Sequence, residues 1–207
     1  MKHKKRTWWV VAVITALFMS SCMLPGMIPL KSTPEGPMPT LETNTQEVLK
    51  VLSGENWRYL QAVPAEQYSE EDLAKPGALN FTANINDEVP VYINYGWCAV
   101  DEDTLKQNFE HIDVKIYING EELGSDVVHN LSYTSQDNLA CLDFGILTYD
   151  WPEGEYDVKT VATFEEKIND GIADYDPGDY IFEYKVTVKK QKEGASAPSR
   201  LSLQIGI

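Results

Sequence analysis

Few residues of this chain have the types and spacing that enzyme chemistry requires. After the first 21 residues only two histidines remain, His111 and His129. Neither belongs to a His-Glu-x-x-His, Gly-x-Ser-x-Gly or phosphate-loop pattern. Adjacent acids such as Glu121 and Glu122 point to opposite faces when they lie in a strand, so they do not converge on a substrate. We therefore expect a non-enzymatic protein, in which both histidines are surface or structural residues.

An acidic loop late in the chain is the best candidate for metal chemistry. Calcium prefers roughly six to eight oxygen ligands, which flexible acidic loops supply. The segment from residue 169 to residue 179 is rich in such groups, but its spacing differs from that of an EF-hand loop. Two interpretations stay open, a calcium site and a solvated loop between strands. The candidate ligands are Asp170, Asp174, Asp176 and Asp179, and we expect no other cofactor.

Three cysteines are present, Cys22 near the start of the chain and Cys98 and Cys141 far beyond it. If the chain is exported, the later two lie in an oxidising compartment and have one possible intramolecular pairing. We expect that disulfide, with two buried free thiols as the alternative. A bridge closing so long a loop stabilises a fold by about 4 kcal/mol in the chain-entropy model.

The first 21 residues have the three parts of an export signal. A basic run, Lys2 to Arg6, precedes an apolar run, Trp8 to Met19, and two serines. This order is typical of a secretory signal peptide. The apolar run is shorter than the roughly 20 residues that a membrane-spanning helix needs. Cleavage near Ser21 by an ordinary signal peptidase is one outcome, and retention as an anchor is another.

The sequence Met19-Ser20-Ser21-Cys22 resembles the bacterial lipobox. The resemblance implies cleavage before Cys22 and lipidation of that cysteine, and several acyl chains hold a protein firmly at a membrane. It also implies a place in the cell envelope. Because Met23 and not Asp follows the cysteine, we expect the outer membrane in a bacterium with two membranes. In a bacterium with one membrane, we expect the outer face of the cytoplasmic membrane.

Composition divides the chain into four segments. We predict a signal peptide at 1–21, a proline-rich lipidated tether at 22–46, a folded domain at 47–192 and a disordered tail at 193–207. The whole chain has 17 Lys+Arg against 32 Asp+Glu, a net charge of −15. So acidic a protein repels phosphate backbones, which argues against nucleic acid as a partner.

Alternating apolar and polar residues dominate the predicted domain, and this period of two indicates β-strands. Short helices are predicted at 45–52 and 69–74, with a further helical turn or two between 101 and 110. We predict a mainly β fold, a single antiparallel sandwich of about seven strands with one or two short helices, because no helix of crossover length separates most strands. The predicted strand regions are 79–85, 89–97, 114–118, 127–133, 142–146, 156–164 and 180–188.

One short motif supports a particular kind of sandwich. Pro152-Glu153-Gly154-Glu155-Tyr156 resembles the Pro-x-Gly-x-Tyr segment of immunoglobulin-like and fibronectin type III modules, and Asp176 to Tyr180 repeats it in shortened form. The resemblance implies that Tyr156 forms a tyrosine corner, in which the hydroxyl bonds back to the chain. The immunoglobulin Cys, Trp, Cys arrangement is absent.

The leading functional hypothesis is a non-enzymatic envelope lipoprotein whose acidic domain binds or scaffolds another molecule, an envelope protein or a glycan. The alternative is an accessory module for carbohydrate or calcium. For carbohydrate, Trp57, Trp97 and Trp151 are candidate sugar-stacking residues. Aromatic residues at alternate strand positions are also typical of a buried core, and Trp97 belongs to such a run.

Overall fold

The computed structural model describes residues 37–190, and β-strands dominate this range. The predicted signal peptide, most of the predicted tether and the predicted tail lie outside the described residues. Seven strands have six or more residues and overlap the seven predicted strand regions, which confirms a mainly β fold. The strands are β1 (Thr40–Leu41), β2 (Arg58–Tyr59), β3 (Gly77–Asn86), β4 (Val91–Ala99), β5 (Ile112–Ile118), β6 (Glu121–Glu122), β7 (His129–Thr134), β8 (Ala140–Tyr149), β9 (Gly154–Phe164), β10 (Ile168–Asn169), β11 (Asp174–Tyr175) and β12 (Gly178–Lys189).

Three short α-helices lie within the described range, one more than the upper number predicted. They are α1 (Thr45–Leu52), α2 (Glu70–Leu73) and α3 (Glu102–Phe109), and a 3-10 turn spans Leu60–Ala62. The α2 helix begins with a capping box, in which Ser69 and Asp72 satisfy each other's backbone N–H groups. At the start of α3, the Asp101 carboxylate accepts the backbone N–H of Thr104 at 2.7 Å. Local capping residues therefore account for the third helix.

The long strands form two sheets. In sheet 1, β4 pairs with β8 on one side and with β2 on the other, and β1 and β7 share the far edge of β8. In sheet 2 the order is β3-β12-β9-β5-β6. The short strands β10 and β11 form a separate ribbon. Asn119 and Gly120 have positive φ angles at the turn between β5 and β6, as a tight Asn-Gly hairpin turn requires.

Both sheets are mixed, so the prediction of a purely antiparallel sandwich is wrong. The β3 strand runs parallel to β12 from Gly77 with Tyr180 to Asn86 with Lys189, and β2 runs parallel to β4. Alternation along a strand tells which side chains share a face but carries no information about the direction of a neighbour. Parallel neighbours need a long connection, and the whole chain between β3 and β12 supplies it.

The core lies between the two sheets, where their inward side chains meet. Ile93 and Ile146 of sheet 1 share a buried cluster with Ile116 and Val186 of sheet 2. A second cluster around Trp97 and Phe164 continues the core toward α3 and the ribbon of β10 and β11. Both clusters are built from alternate residues of their strands, as the period of two requires.

Sheet 1 begins inside the segment predicted as tether. Thr40 and Leu41 pair with Tyr149 and Thr148 of β8. The backbone N–H of Glu42 also donates to the carbonyl of Leu147 at 2.9 Å. A strand therefore pairs with sheet 1 before residue 47, and the chain that follows it brings α1 onto the outer face of sheet 1.

Candidate binding site

The predicted disulfide is present between β4 and β8. Cys98 and Cys141 are directly opposite in the antiparallel ladder, with their sulfur atoms 2.06 Å apart. The bridge joins residues 43 positions apart in the sequence. It confirms the cysteine pairing and fixes the register of the two strands that carry the site below.

The outer face of sheet 1 is the face of β4 and β8 that points away from the core. Pairing along the ladder places four rungs on this face, one every second residue. The bridge is the first rung, and Gly96 with Asp143 is the second. The remaining two rungs are Asn94 with Gly145 and Tyr92 with Leu147.

Asp143 is a buried acid on this face, with 4% of its surface exposed. Its Oδ1 accepts a hydrogen bond from the side-chain nitrogen of Asn94 at 2.7 Å. Burial raises the pKa of the Asp143 carboxyl above its ordinary value, although hydrogen bonding by Asn94 and Tyr92 partly opposes the rise. Among residues 37–190, no salt bridge joins Asp143 to a Lys, Arg or His.

One polar atom beside Asp143, Oδ1 of Asn94, is buried without a hydrogen-bond partner among the described residues. The Tyr92 side chain is also buried there and interacts with the Asp143 carboxyl by hydrogen bonding. More than about 90% of buried polar groups in native proteins have a partner, so each exception requires an explanation. An uncompensated carboxylate next to a free amide acceptor is suited to a ligand that donates hydrogen bonds. We call the trio of Tyr92, Asn94 and Asp143 the Asp143 site.

Two glycines give the Asp143 site its shape. A Cβ atom on Gly96 would lie 2.7 Å from Oδ1 of Asp143, and one on Gly145 would lie 2.2 Å from the Tyr92 ring. The absence of side chains at these positions lets the carboxylate and the ring lie flat across the strands. Glycine inside a strand often marks such a close approach. Gly96 and Gly145 are therefore the features of the sequence that could have indicated the site.

Aromatic residues and α1 border the site. The ring of Tyr59 lies 4.5 Å from that of Trp57 and 5.8 Å from that of Tyr92, between centroids. Burial and the charge of Asp143 raise the pKa of Tyr59 to about 12. Tyr133 of β7, half exposed, borders the site from the other edge. Val48 of α1 packs against Tyr92 and Leu147, so the helix covers this end of the outer face.

The acidic loop predicted as a calcium site uses its carboxylates internally. Oδ1 of Asp170 accepts the N–H groups of Ile172 and Ala173, both at 2.7 Å, and Oδ2 accepts the Tyr175 hydroxyl at 3.1 Å. Asp174 is bound by Asn169 and Lys167, and Asp179 by Thr163. Within the described part of the chain, no three His, Cys, Asp or Glu side chains are grouped as metal ligands. The loop therefore does not bring Asp170, Asp174, Asp176 and Asp179 together.

Tyr156 makes the hydrogen bond that the motif resemblance implies. Its hydroxyl donates to the carbonyl of Pro152 at 2.7 Å, four residues upstream. Tyr180 repeats this geometry, because its hydroxyl donates to the carbonyl of Asp176 at 2.9 Å. Both tyrosines therefore tie the entry of a long strand to the loop before it.

The three tryptophans do not form one platform. Trp97 and Trp151 are buried in the core, and Trp151 donates to the hydroxyl of Thr148 at 2.9 Å. Only Trp57 lies on the outer face of sheet 1, where its indole N–H donates to Gly54 and Leu52 carbonyls. The prediction of a joint sugar-stacking surface from these three residues is therefore wrong.

The histidines occupy structural or surface positions. His129 is buried, and its two ring nitrogens contact the Thr45 hydroxyl at 3.0 Å and the Glu42 carbonyl at 2.8 Å. His111 is exposed and lies 3.5 Å from Glu166. His129 thus holds the segment between β1 and α1 against β7. The predicted lipidation residue, Cys22, lies outside the described residues.

Comparison with known proteins gives no family for this chain. No family model and no curated protein matches it. Among solved structures, it is similar to the cysteine protease inhibitor EhICP2 from Entamoeba histolytica, at 8% identity and a TM-score of 0.28. That match covers 66% of this chain and 100% of the inhibitor. At this TM-score the likeness assigns neither fold nor function. Within residues 37–190, no helix is both long and apolar enough to cross a bilayer.

Proposed function

We propose that this protein is a non-enzymatic, lipid-anchored protein of the bacterial cell envelope that binds its partner at the Asp143 site. The observation that carries the proposal is the buried Asp143 carboxylate, which has no salt bridge within residues 37–190 and lies beside the unpartnered Oδ1 of Asn94. Leaving a buried polar group unpaired costs roughly 1–3 kcal/mol. A cationic or hydrogen-bond-donating group of a partner would complement this acceptor-rich site.

Export and lipidation are supported by two independent features. The Met19-Ser20-Ser21-Cys22 segment resembles the lipobox, and the Cys98–Cys141 disulfide suits an oxidising compartment. In this proposal Cys22 carries the lipid, and the domain reaches the envelope space through the residues between Cys22 and β1. The anchor keeps the Asp143 site at a membrane surface, where a binding protein meets other envelope components.

An immunoglobulin-like arrangement of the sandwich is part of the proposal. In that fold strands B, E and D lie in one sheet, and G, F, C and C′ in the other. The order β4-β8-β7 in sheet 1 and β12-β9-β5-β6 in sheet 2 agrees with this order. The Tyr156 hydrogen bond to Pro152 agrees with a tyrosine corner at the start of strand F. Such domains commonly serve as binding modules, which suits a non-enzymatic role.

A glycan is the second candidate ligand of the same site. Tyr59 and Tyr133 expose part of their rings beside the Asn94 amide and the Asp143 carboxylate. Exposed rings next to polar acceptors are also what a sugar could use. Binding to envelope glycans on an array, lost when Tyr133 is replaced by alanine, would favour this candidate over a protein partner.

Membrane fractionation tests the anchored part of the proposal. The wild-type chain and Cys22→Ala are expressed in a bacterial host, and membranes are washed with high salt and alkaline carbonate. We expect the wild type to stay in the membrane fraction and the variant to become soluble. Cys98→Ala is the matched control, because it removes a cysteine and leaves Cys22 in place. Firm retention of Cys22→Ala in washed membranes would contradict the lipid anchor.

A further inference from the structure

The β4 strand has an open edge on the side away from β8. The β2 strand covers only its first two residues, Val91 and Tyr92. Past the end of β4, the N–H of Val100 donates to the carbonyl of Asp170 at 2.9 Å. Between these two points, no strand in the described range pairs with this side of β4. The gap is bounded by β2 at one end and by the ribbon of β10 and β11 at the other.

Three residues direct their backbone groups into this gap. The Cα atoms of Cys98 and Cys141 are 4.1 Å apart, which identifies a non-hydrogen-bonded pair, since such pairs are near 4.5 Å and hydrogen-bonded ones near 5.5 Å. By alternation Asn94, Gly96 and Cys98 all point their N–H and C=O groups away from β8. The Pro90 carbonyl has the same parity and accepts the Arg58 N–H at 3.0 Å from the β2 side.

The open edge lacks the features that usually block strand addition. Natural edge strands are often protected by charged residues, proline or bulges. From Ile93 to Ala99 β4 contains neither a charged residue nor proline, and its ladder with β8 is uninterrupted. The apolar side chain of Ile172 is 70% exposed beyond the end of this edge. Nothing in the composition of this edge therefore prevents another strand from pairing with it.

The Asp143 site lies beside the middle of the open edge. Gly96 is the central residue of the three, and the Asp143 carboxylate lies across it, since a Cβ there would be 2.7 Å from Oδ1. Oδ1 of Asn94, on the preceding outward rung, has no donor among the described residues. A side chain on an added strand opposite Gly96 would project on the same face as the Asp143 carboxylate. Lysine and arginine carry the donors and the charge that these acceptors lack.

We propose that an extended, basic peptide segment of another protein adds as a strand to the β4 edge. Backbone groups of Asn94, Gly96 and Cys98 pair with the segment, and a Lys or Arg on it binds the Asp143 carboxylate. Strand addition of this type takes affinity from the backbone and specificity from alternate side chains. The inference rests on the proposed function and deepens it by naming the chemistry of the partner.

The charge of the whole chain supports a basic partner. With a net charge of −15, the protein attracts cationic segments and repels acidic ones over a distance of about one Debye length, roughly 8 Å in physiological salt. A small organic cation would meet Asp143 but would leave the six backbone groups of the edge without strand partners. An extended peptide satisfies both sets of groups, and we therefore favour it.

Amide exchange in the full chain, held in detergent, is the first test. Without a partner, we expect fast exchange at Asn94, Gly96 and Cys98 and slow exchange at Ile93, Tyr95 and Trp97, whose amides face β8. The alternate residues of one strand thus serve as internal controls. Slow exchange at all six would mean that the edge is already occupied, by this chain or by a second copy, and would overturn the proposal. Sedimentation at several concentrations distinguishes those two occupants.

A defined peptide is the second test. The probe is acetyl-Thr-Val-Lys-Val-Thr-amide, which places lysine and valine on opposite faces of a strand. We expect it to slow exchange at Asn94, Gly96 and Cys98. Replacing lysine by norleucine should weaken binding about tenfold, as expected for loss of a charge-assisted contact. Methylation of the backbone nitrogens should abolish binding. Absence of protection at millimolar peptide, or equal binding of the methylated form, would overturn strand addition.

Paired variants separate the role of Asp143 from general acidity. Asp143→Asn keeps the shape of the site, and we expect it to weaken the lysine peptide about tenfold while leaving the norleucine peptide unchanged. Glu183→Gln removes an exposed charge from sheet 2 and should change neither. Equal effects of the two variants would overturn the assigned contact. The Cys22 fractionation result is independent of these measurements, so failure of peptide binding would leave the anchored protein intact and remove only this inference.

Discussion

Asp170 and Asp143, the two buried aspartates within residues 37–190, have opposite surroundings. Asp170, 8% exposed, accepts three hydrogen bonds, all from residues within five positions of itself. Asp143, 4% exposed, accepts a hydrogen bond from Asn94, which lies on another strand. An acid whose own loop supplies its donors stabilises that loop. An acid placed among unpaired acceptors is better suited to a partner.

The difference arises from where each acid lies in the fold. Short polar side chains in turns readily bond to backbone N–H groups two or three residues ahead, and Asp170 does so with Ile172 and Ala173. Asp143 lies in the middle of a strand, where the nearby N–H groups are committed to the ladder. Its surroundings are therefore determined by the register of β4 and β8. The loop of Asp170 and the strand of Asp143 should consequently respond differently to substitution.

The largest effect is expected from breaking the bridge beside Asp143. The double variant Cys98→Ala, Cys141→Ala should unfold at lower urea concentration, with a loss of about 4 kcal/mol in the chain-entropy model. Local exchange sharpens the comparison, because amides in β4 and β8 should lose more protection than those in the loop of Asp170. If the loop and the two strands lose protection equally, the bridge does not support the Asp143 site in particular.

Substitution of the two aspartates should change the free energy of unfolding by unequal amounts. Asp170→Ala leaves two N–H groups and the Tyr175 hydroxyl without their acceptor, and we expect a loss of about 2–3 kcal/mol in the free energy of unfolding. Asp143→Asn keeps an acceptor for Asn94 and removes a buried charge, so we expect no loss or a small gain. Urea unfolding of both variants at neutral pH provides the measurement. A larger loss for Asp143→Asn than for Asp170→Ala would reverse the assigned roles.

This contrast also shows what could be predicted from the sequence. Alternation located the seven long strands, and the cysteine count identified the Cys98–Cys141 bridge, because both follow from local pattern or simple pairing. The direction of β3 beside β12 was not accessible, since alternation is the same for parallel and antiparallel neighbours. The prediction failed there for a physical reason, because direction depends on the path of the whole chain.

The Asp143 site was missed for a related reason. In the sequence Asn94 and Asp143 are polar positions between apolar ones, which is also the pattern of ordinary solvent-facing residues. Only the register between two strands some 49 positions apart brings them together. Gly96 and Gly145, unusual inside long strands, were the available local indication. The acidic loop is conspicuous in the sequence because its aspartates lie close together, yet Asp170 and Asp174 accept hydrogen bonds from within the loop.

The next largest effect is expected in the pH dependence of stability, which should depend on the ionisation of Asp143. Because its pKa is raised in the folded state, the folded protein holds that proton more tightly than the unfolded chain does, whose Asp has a pKa of about 3.9. The resulting stability is fully present below the unfolded pKa and is lost as pH rises through the folded pKa. We therefore expect the wild type to lose stability relative to Asp143→Asn as pH increases from about 4.

Unfolding at several pH values checks this expectation. The nearby tyrosines do not interfere in this range, because burial raises the pKa of Tyr133 and holds that of Tyr59 at about 12. A stability difference between wild type and Asp143→Asn that stays constant from pH 4 to pH 8 would show that the carboxyl is well solvated, and the site would then resemble an ordinary surface acid.

The smallest effect is expected from calcium. Because the Asp170 carboxylate is bonded within its own loop, we expect equal unfolding temperatures for the full chain in calcium and in chelator. A site filled at 100 times its dissociation constant would add about 2.7 kcal/mol, which thermal unfolding would detect readily. Magnesium is the matched control for ionic strength. A rise in unfolding temperature that is specific to calcium and absent in Asp174→Asn would mean that the loop rearranges around the ion. The loop of Asp170 would then be a ligand-binding site, as is proposed for Asp143.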